Sequence, residues 1–228
     1  MDAVLAFVAA LVALRLSGDL IRRFRRRRAP ELAAWAGALA AYAAAAAALA
    51  WGAAYGWNGP AFRVYYLGGA LLTAALLGAG SLLLAGRRRA TWAALVYVGL
   101  AVGIAIAMPL EGHLSGTAVP QAQDVLDLWP ARVVAIAANS LGTIAVVVVA
   151  LMTFRRRPLG NVLILAGISV AAIGSALAGL GVGALAPVIL LAAVLLYAGI
   201  VAPSRTARYG LPRDSSSSTV QASERRRR

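Results

Sequence analysis

Glu111, His113, Asp124 and Asp127 fall in one stretch between two apolar segments, and of all the residues in the chain these are the best equipped for chemistry. A neutral imidazole and carboxylate oxygens are both metal ligands, and the same groups act as general acid and base. Their spacing compels neither role. There is a single histidine, no HExxH pattern, and Asp124 and Asp127 share a face only if that stretch is helical. No metal and no cofactor is therefore expected. If the four residues converge, they make a membrane enzyme acting on a lipid or isoprenoid. If they do not, they belong to a solvated loop in which Asp127 pairs with Arg132, a contact worth little at a surface.

A second group joins cations to rings. Trp51, Tyr55, Trp57, Phe62, Tyr65 and Tyr66 gather around Arg63, where one apolar segment ends and the next begins. Aromatic rings suit the headgroup region of a bilayer, and a guanidinium can fork onto phosphate or carboxylate. Further along, Arg132, Asn139, Ser140 and Thr143 fall on one side of an apolar helix, and such a stripe turns toward protein or a wet cavity. Together Arg63, Tyr65, Tyr66, Arg132, Asn139 and Thr143 form the predicted binding set. Its ligand would be lipid-like or a small amphipathic molecule taken from the outer side, by a sensor or accessory subunit. A transporter or channel is the other alternative, with a water path past Asn139 and Thr143. No acidic residue sits mid-segment and no inverted repeat is evident, which lowers that reading.

These groups must be positioned by membrane helices. The chain has 228 residues, 61% hydrophobic and only 13% charged, with a mean hydropathy of +0.80. Crossing about 30 Å of hydrocarbon takes about 20 apolar residues. Stretches 3–21, 31–53, 63–86, 90–109, 132–154, 160–179 and 183–202 qualify, which predicts an all-α, polytopic bundle of seven spans over residues 1–202. The first stretch opens on Met1-Asp2 without a positive flank, so it reads as a retained helix and not a signal peptide.

Arginine supplies the orientation. All 22 basic residues are arginine, and all but Arg63 and Arg132 fall on one side if the N-terminus is outside. Basic loops stay cytoplasmic, so the expected topology is N-terminus outside and C-terminus inside, in a bacterial plasma membrane. The net charge of +14 then reports topology and not nucleic-acid binding. Without lysine there is no retinal Schiff base, and without cysteine no disulfide or thiolate metal site. Residues 203–228, rich in Ser and Arg, read as a disordered cytoplasmic tail. The expected partners are membrane lipids, with a homo-oligomer or a membrane partner protein as further possibilities.

Glycine marks the expected contacts, because helices in lipid meet where small residues let backbones approach. Gly160, Gly167, Gly174 and Gly181 recur every seven residues, and Gly99 and Gly103 form a GxxxG pair. The alanine run Ala43 to Ala48 places the second span at the centre of the bundle.

The segments Phe62-Arg63-Val64-Tyr65-Tyr66-Leu67-Gly68-Gly69-Ala70-Leu71-Leu72, Trp129-Pro130-Ala131-Arg132 and Arg157-Pro158-Leu159-Gly160-Asn161-Val162-Leu163-Ile164 carry a resemblance. Over roughly residues 30–200 the chain resembles an uncharacterised multi-pass membrane protein family common in actinobacteria. That family has a Pro-Arg pair where this chain reads Pro130-Ala131-Arg132. The resemblance implies a membrane protein from a high-GC bacterium and adds no mechanism.

Overall fold

The computed structural model describes residues 2–111, 114, 116–155, 157–179 and 185–202; His113, Gly181 and the 203–228 tail lie outside them. Every regular element among the described residues is helical. The chain runs through α1 (Asp2–Arg27) and α2 (Pro30–Tyr55) into a rod built of α3 (Gly59–Tyr66), a π-helical segment (Leu67–Thr73) and α4 (Ala74–Leu84). Then follow α5 (Arg89–Ala107), the short α6 (Ala122–Val125), α7 (Val133–Met152), α8 (Pro158–Gly179) and α9 (Leu185–Val201).

Five helical rods are long and apolar enough to cross a membrane: Ala3–Arg27, Pro30–Tyr55, Gly59–Leu84, Arg89–Ala107 and Leu128–Met152. The sixth and seventh predicted spans are also helical, over Pro158–Gly179 and Leu185–Val201. Leu190 packs with Ala9, Ala10 and Ala46, Ala193 with Ala13 and Ala43, and Leu196 and Ile200 with Leu20 and Trp35. Helix α9 therefore runs parallel to α1 and antiparallel to α2.

The first span does not stop before its arginine run. Residues Arg22 to Arg27 continue α1, and only Arg28 and Ala29 separate it from α2. Arginine is a good helix former, and cations at a helix C-terminus complement its dipole. Arg28 ends the helix in the left-handed region at φ 52°, with its amide donating to the Phe24 carbonyl at 2.7 Å. Asp19 pairs with Arg22 and also accepts from the Tyr197 hydroxyl at 3.3 Å.

Helix α2 is the centre of the bundle. Of its most apolar window 56% is buried, against 17% for α5, because its alanines admit α1 on one side and the α3–α4 rod on the other. Ser17 donates to the Ala36 carbonyl at 2.8 Å and ties α1 to it.

Glycine contacts fall where backbones cross, and only some of them match the expected motif positions. A Cβ on Gly78 would stand 2.7 Å from the Gly142 Cα, and one on Gly142 would collide with the Ala74 carbonyl, so α4 and α7 meet through these two residues. Gly160 lies against the Gly199 carbonyl, 2.9 Å from where its Cβ would be, and Gly167 lies 2.9 Å from the Leu196 Cγ on the same measure. Gly174 falls within α8. The Gly99 and Gly103 pair is corrected: a Cβ at either position meets nothing within 4 Å, so this GxxxG forms no close helix contact among the described residues.

Candidate functional site

The third rod is interrupted midway by its π segment. Gly68 and Gly69 open this segment, and Gly68 leaves room for nothing larger against the Ala41 carbonyl of α2. A π turn breaks the regular ladder and frees carbonyls, which in lipid must find other donors. Three side chains supply them. Thr73 Oγ1 donates to the Gly68 carbonyl at 2.6 Å, Tyr97 Oη of α5 to Leu71 at 2.8 Å, and Asn139 Nδ2 of α7 to Ala70 at 2.6 Å. The Asn139 amide also reaches its own Ala135 carbonyl at 2.9 Å.

Asn139, expected to face a ligand or a water path, thus spends its donor on backbone. The stripe on its helix divides: Asn139 and Thr143 are half-buried, while Ser140 is exposed. Thr73 and Tyr97 were not among the predicted site residues. Their signal in the sequence is the Gly68-Gly69 pair in mid-span, with a hydroxyl residue a few positions on.

The aromatic end of the bundle is built on the turn between α2 and α3. Asn58 caps α3, its Oδ1 accepting from the Ala61 amide at 2.9 Å, with Pro60 in the first turn. Trp57 lies edge-on to Phe62 and Tyr65, with centroids 6.4 and 5.3 Å apart, and Phe62 stacks on Tyr66 at 5.9 Å. Phe62 and Tyr66 are buried with Met108, Val125, Leu126 and Ala131 in one cluster. The described residues between Pro109 and Asp127 include several that pack over these rings. Leu110, Leu114 and Val119 pack on the cluster, Glu111 donates its amide to the Val125 carbonyl at 3.0 Å, and Trp57 donates its own to Gly116 at 3.0 Å.

Arg63 already has partners. Its guanidinium donates to the carbonyls of Ala105 and Ile106, both at 2.7 Å, closing the C-terminus of α5. It caps the helix through Nη1 alone, a structural role that the sequence did not reveal. Arg132 is different. Half-buried beside Tyr66, with which it interacts electrostatically, it has no hydrogen bond or ion pair among the described residues, and Asp127 does not pair with it. The other unsatisfied donor at this end is Trp57 Nε1, buried without an acceptor among the described residues.

Of the predicted acid/base group the structure describes the three carboxylates, and backbone pairing sets Glu111 beside the Asp124–Leu126 turn, while His113 lies outside the described residues. Glu111, Asp124 and Asp127 are exposed, and no group of three metal-capable side chains occurs among the described residues. Helix α6 ends at Val125 and Leu126 is extended at φ −125°, ψ 139°, so Asp124 and Asp127 share no helical face.

At the opposite end a second arginine performs the same capping. Arg157 donates to the carbonyls of Gly199, Ile200 and Ala202 at 3.3, 2.8 and 2.9 Å, and burial lowers its pKa from the ordinary arginine value. The buried Asn161 amide reaches the Ala150 carbonyl at 2.8 Å and Thr153 Oγ1 at 3.0 Å, joining the start of α8 to the end of α7. Comparison with known proteins adds no relative: no family model, no curated protein and no solved structure matches this chain.

Proposed function

We propose that this is a seven-span protein of a bacterial plasma membrane, N-terminus outside, which binds an acidic amphipathic ligand at its outer, aromatic end as a sensor or accessory subunit. The count of seven takes α8 and α9 as spans, and it is supported by the alignment of α9 alongside α1 from Leu190 to Ile200. The arginine asymmetry supports the orientation, and the resemblance to the actinobacterial family supports the source.

One observation carries the ligand reading. Beside the nest of Trp57, Phe62, Tyr65 and Tyr66, two donors have no partner among the described residues: the buried Trp57 indole and the half-buried Arg132 guanidinium. A buried donor without an acceptor costs about 1–3 kcal/mol, and a ligand oxygen would relieve it. Arg132 would take the carboxylate or phosphate, and the rings the apolar body. Arg63 and Asn139 would hold this end of the bundle in shape without touching the ligand.

The test is native mass spectrometry of the protein released gently from its own membrane. A small-molecule adduct is expected that Arg132→Gln abolishes and Trp57→Phe weakens, the latter variant keeping an aromatic ring while losing the N–H. An adduct indifferent to both changes, or a bare mass in the unaltered protein, overturns the site.

A further inference from the structure

At the arginine-rich end, α1 and α2 flank a groove of about 660 Å³, within the range of small-molecule sites. Ser17, Ile21, Phe24, Arg25 and Arg28 line it from α1, spaced so that all fall on one helical face. Ala33, Ala36, Gly37 and Ala40 line it from α2, and their small side chains are what hold the groove open. The floor is finished, because Ser17 already donates to the Ala36 carbonyl and leaves no loose polar group there. The mouth is cationic: Arg25 and Arg28 are exposed, whereas Arg22 of the same run is held by Asp19.

We propose that this groove binds an anionic phospholipid of the leaflet at the arginine-rich end, its phosphate between Arg25 and Arg28 and the upper part of one acyl chain along Ala33, Gly37 and Ala40. Charge complementarity selects this occupant. A guanidinium pair matches phosphate oxygens, and an apolar, small-residue floor opening beneath it matches the chain attached to that phosphate. The turn at Arg28 places the second cation: its left-handed backbone ends α1 at the groove and starts the short link to α2. The site lies at the opposite end of the bundle from Arg132 and does not rest on the reading given for that residue.

The full chain is placed in nanodiscs of equal phosphatidylglycerol and phosphatidylcholine, and the lipid that stays bound on release is identified by native mass spectrometry. Phosphatidylglycerol should be retained over phosphatidylcholine, and the double change Arg25→Gln with Arg28→Gln should cut that retention about thirtyfold, the scale set by two basic residues at a charged surface. Arg87→Gln with Arg88→Gln removes the same charge from another loop and should leave retention unchanged. Ala40→Trp keeps every arginine but fills the floor, and should also reduce retention. Inorganic phosphate in excess should not displace the lipid. Equal retention of the two lipids, equal loss in both arginine pairs, full retention in Ala40→Trp, or displacement by phosphate alone overturns the proposal.

Discussion

The third and fourth helical rods, Gly59–Leu84 and Arg89–Ala107, are both apolar enough to cross a membrane and both carry closely spaced glycines, yet the bundle uses them in opposite ways. In the third rod Gly68 abuts the α2 backbone and Gly78 abuts Gly142 of α7, and the freed carbonyls of the π segment are bound by Thr73, Tyr97 and Asn139. In the fourth, Gly99 and Gly103 face open space, and Trp92, Val96 and Ile106 are more than two-thirds exposed. A small-residue motif marks a capacity for close approach. A contact needs a partner backbone at the same height, and only the third rod has one.

Three substitutions grade this contrast. Gly142→Leu should have the largest effect, since its side chain would meet the Ala74 carbonyl and no rotamer avoids backbone. Overpacking at such a site costs about 3 kcal/mol or more, or about 10 °C in detergent thermal unfolding. A loss of only a degree or two would mean that α4 and α7 do not meet at this point. Asn139→Leu should cost less, about 1 kcal/mol, because it strips one donor from the Ala70 carbonyl while keeping an apolar side chain of similar size. Slower hydrogen exchange, or none of the expected weakening, around the π segment would show that the bond contributes nothing there. Gly99→Leu should change monomer stability by less than about 0.5 kcal/mol, as at other exposed positions. If it instead lowers the oligomeric mass seen by light scattering, the face of α5 is covered by a second chain, and the contrast between the rods becomes one between internal and external contacts.

The two arginines at the less basic helix ends show where reading along the chain falls short. Arg63 and Arg132 look equivalent in sequence, each flanking an apolar stretch at the less basic end. Arg63 donates from Nη1 to carbonyls of α5 that lie 42 and 43 residues away, while Arg132 has no such partner among the described residues. Arg157 has the same capping role as Arg63 at the other end of the bundle, reaching 42 to 45 residues along the chain. It was legible beforehand only as one member of an arginine cluster. The acidic loop residues were visible as candidates too, but their exposure follows from Leu110, Leu114 and Val119 turning inward onto rings supplied by α2 and α3.

Sequence alone determined the helical class, most of the limits of the five long apolar rods and the gathering of arginine at one set of helix ends. Each of these depends on local composition and on apolar length measured against bilayer thickness, and both are written along the chain. Tertiary structure decided which polar groups remain free. The Asn139 amide is committed to a carbonyl 69 residues away, and the Tyr97 hydroxyl to one 26 residues away. Whether a donor is spent or available depends on which backbone the folded bundle sets beside it, and no local pattern records that choice.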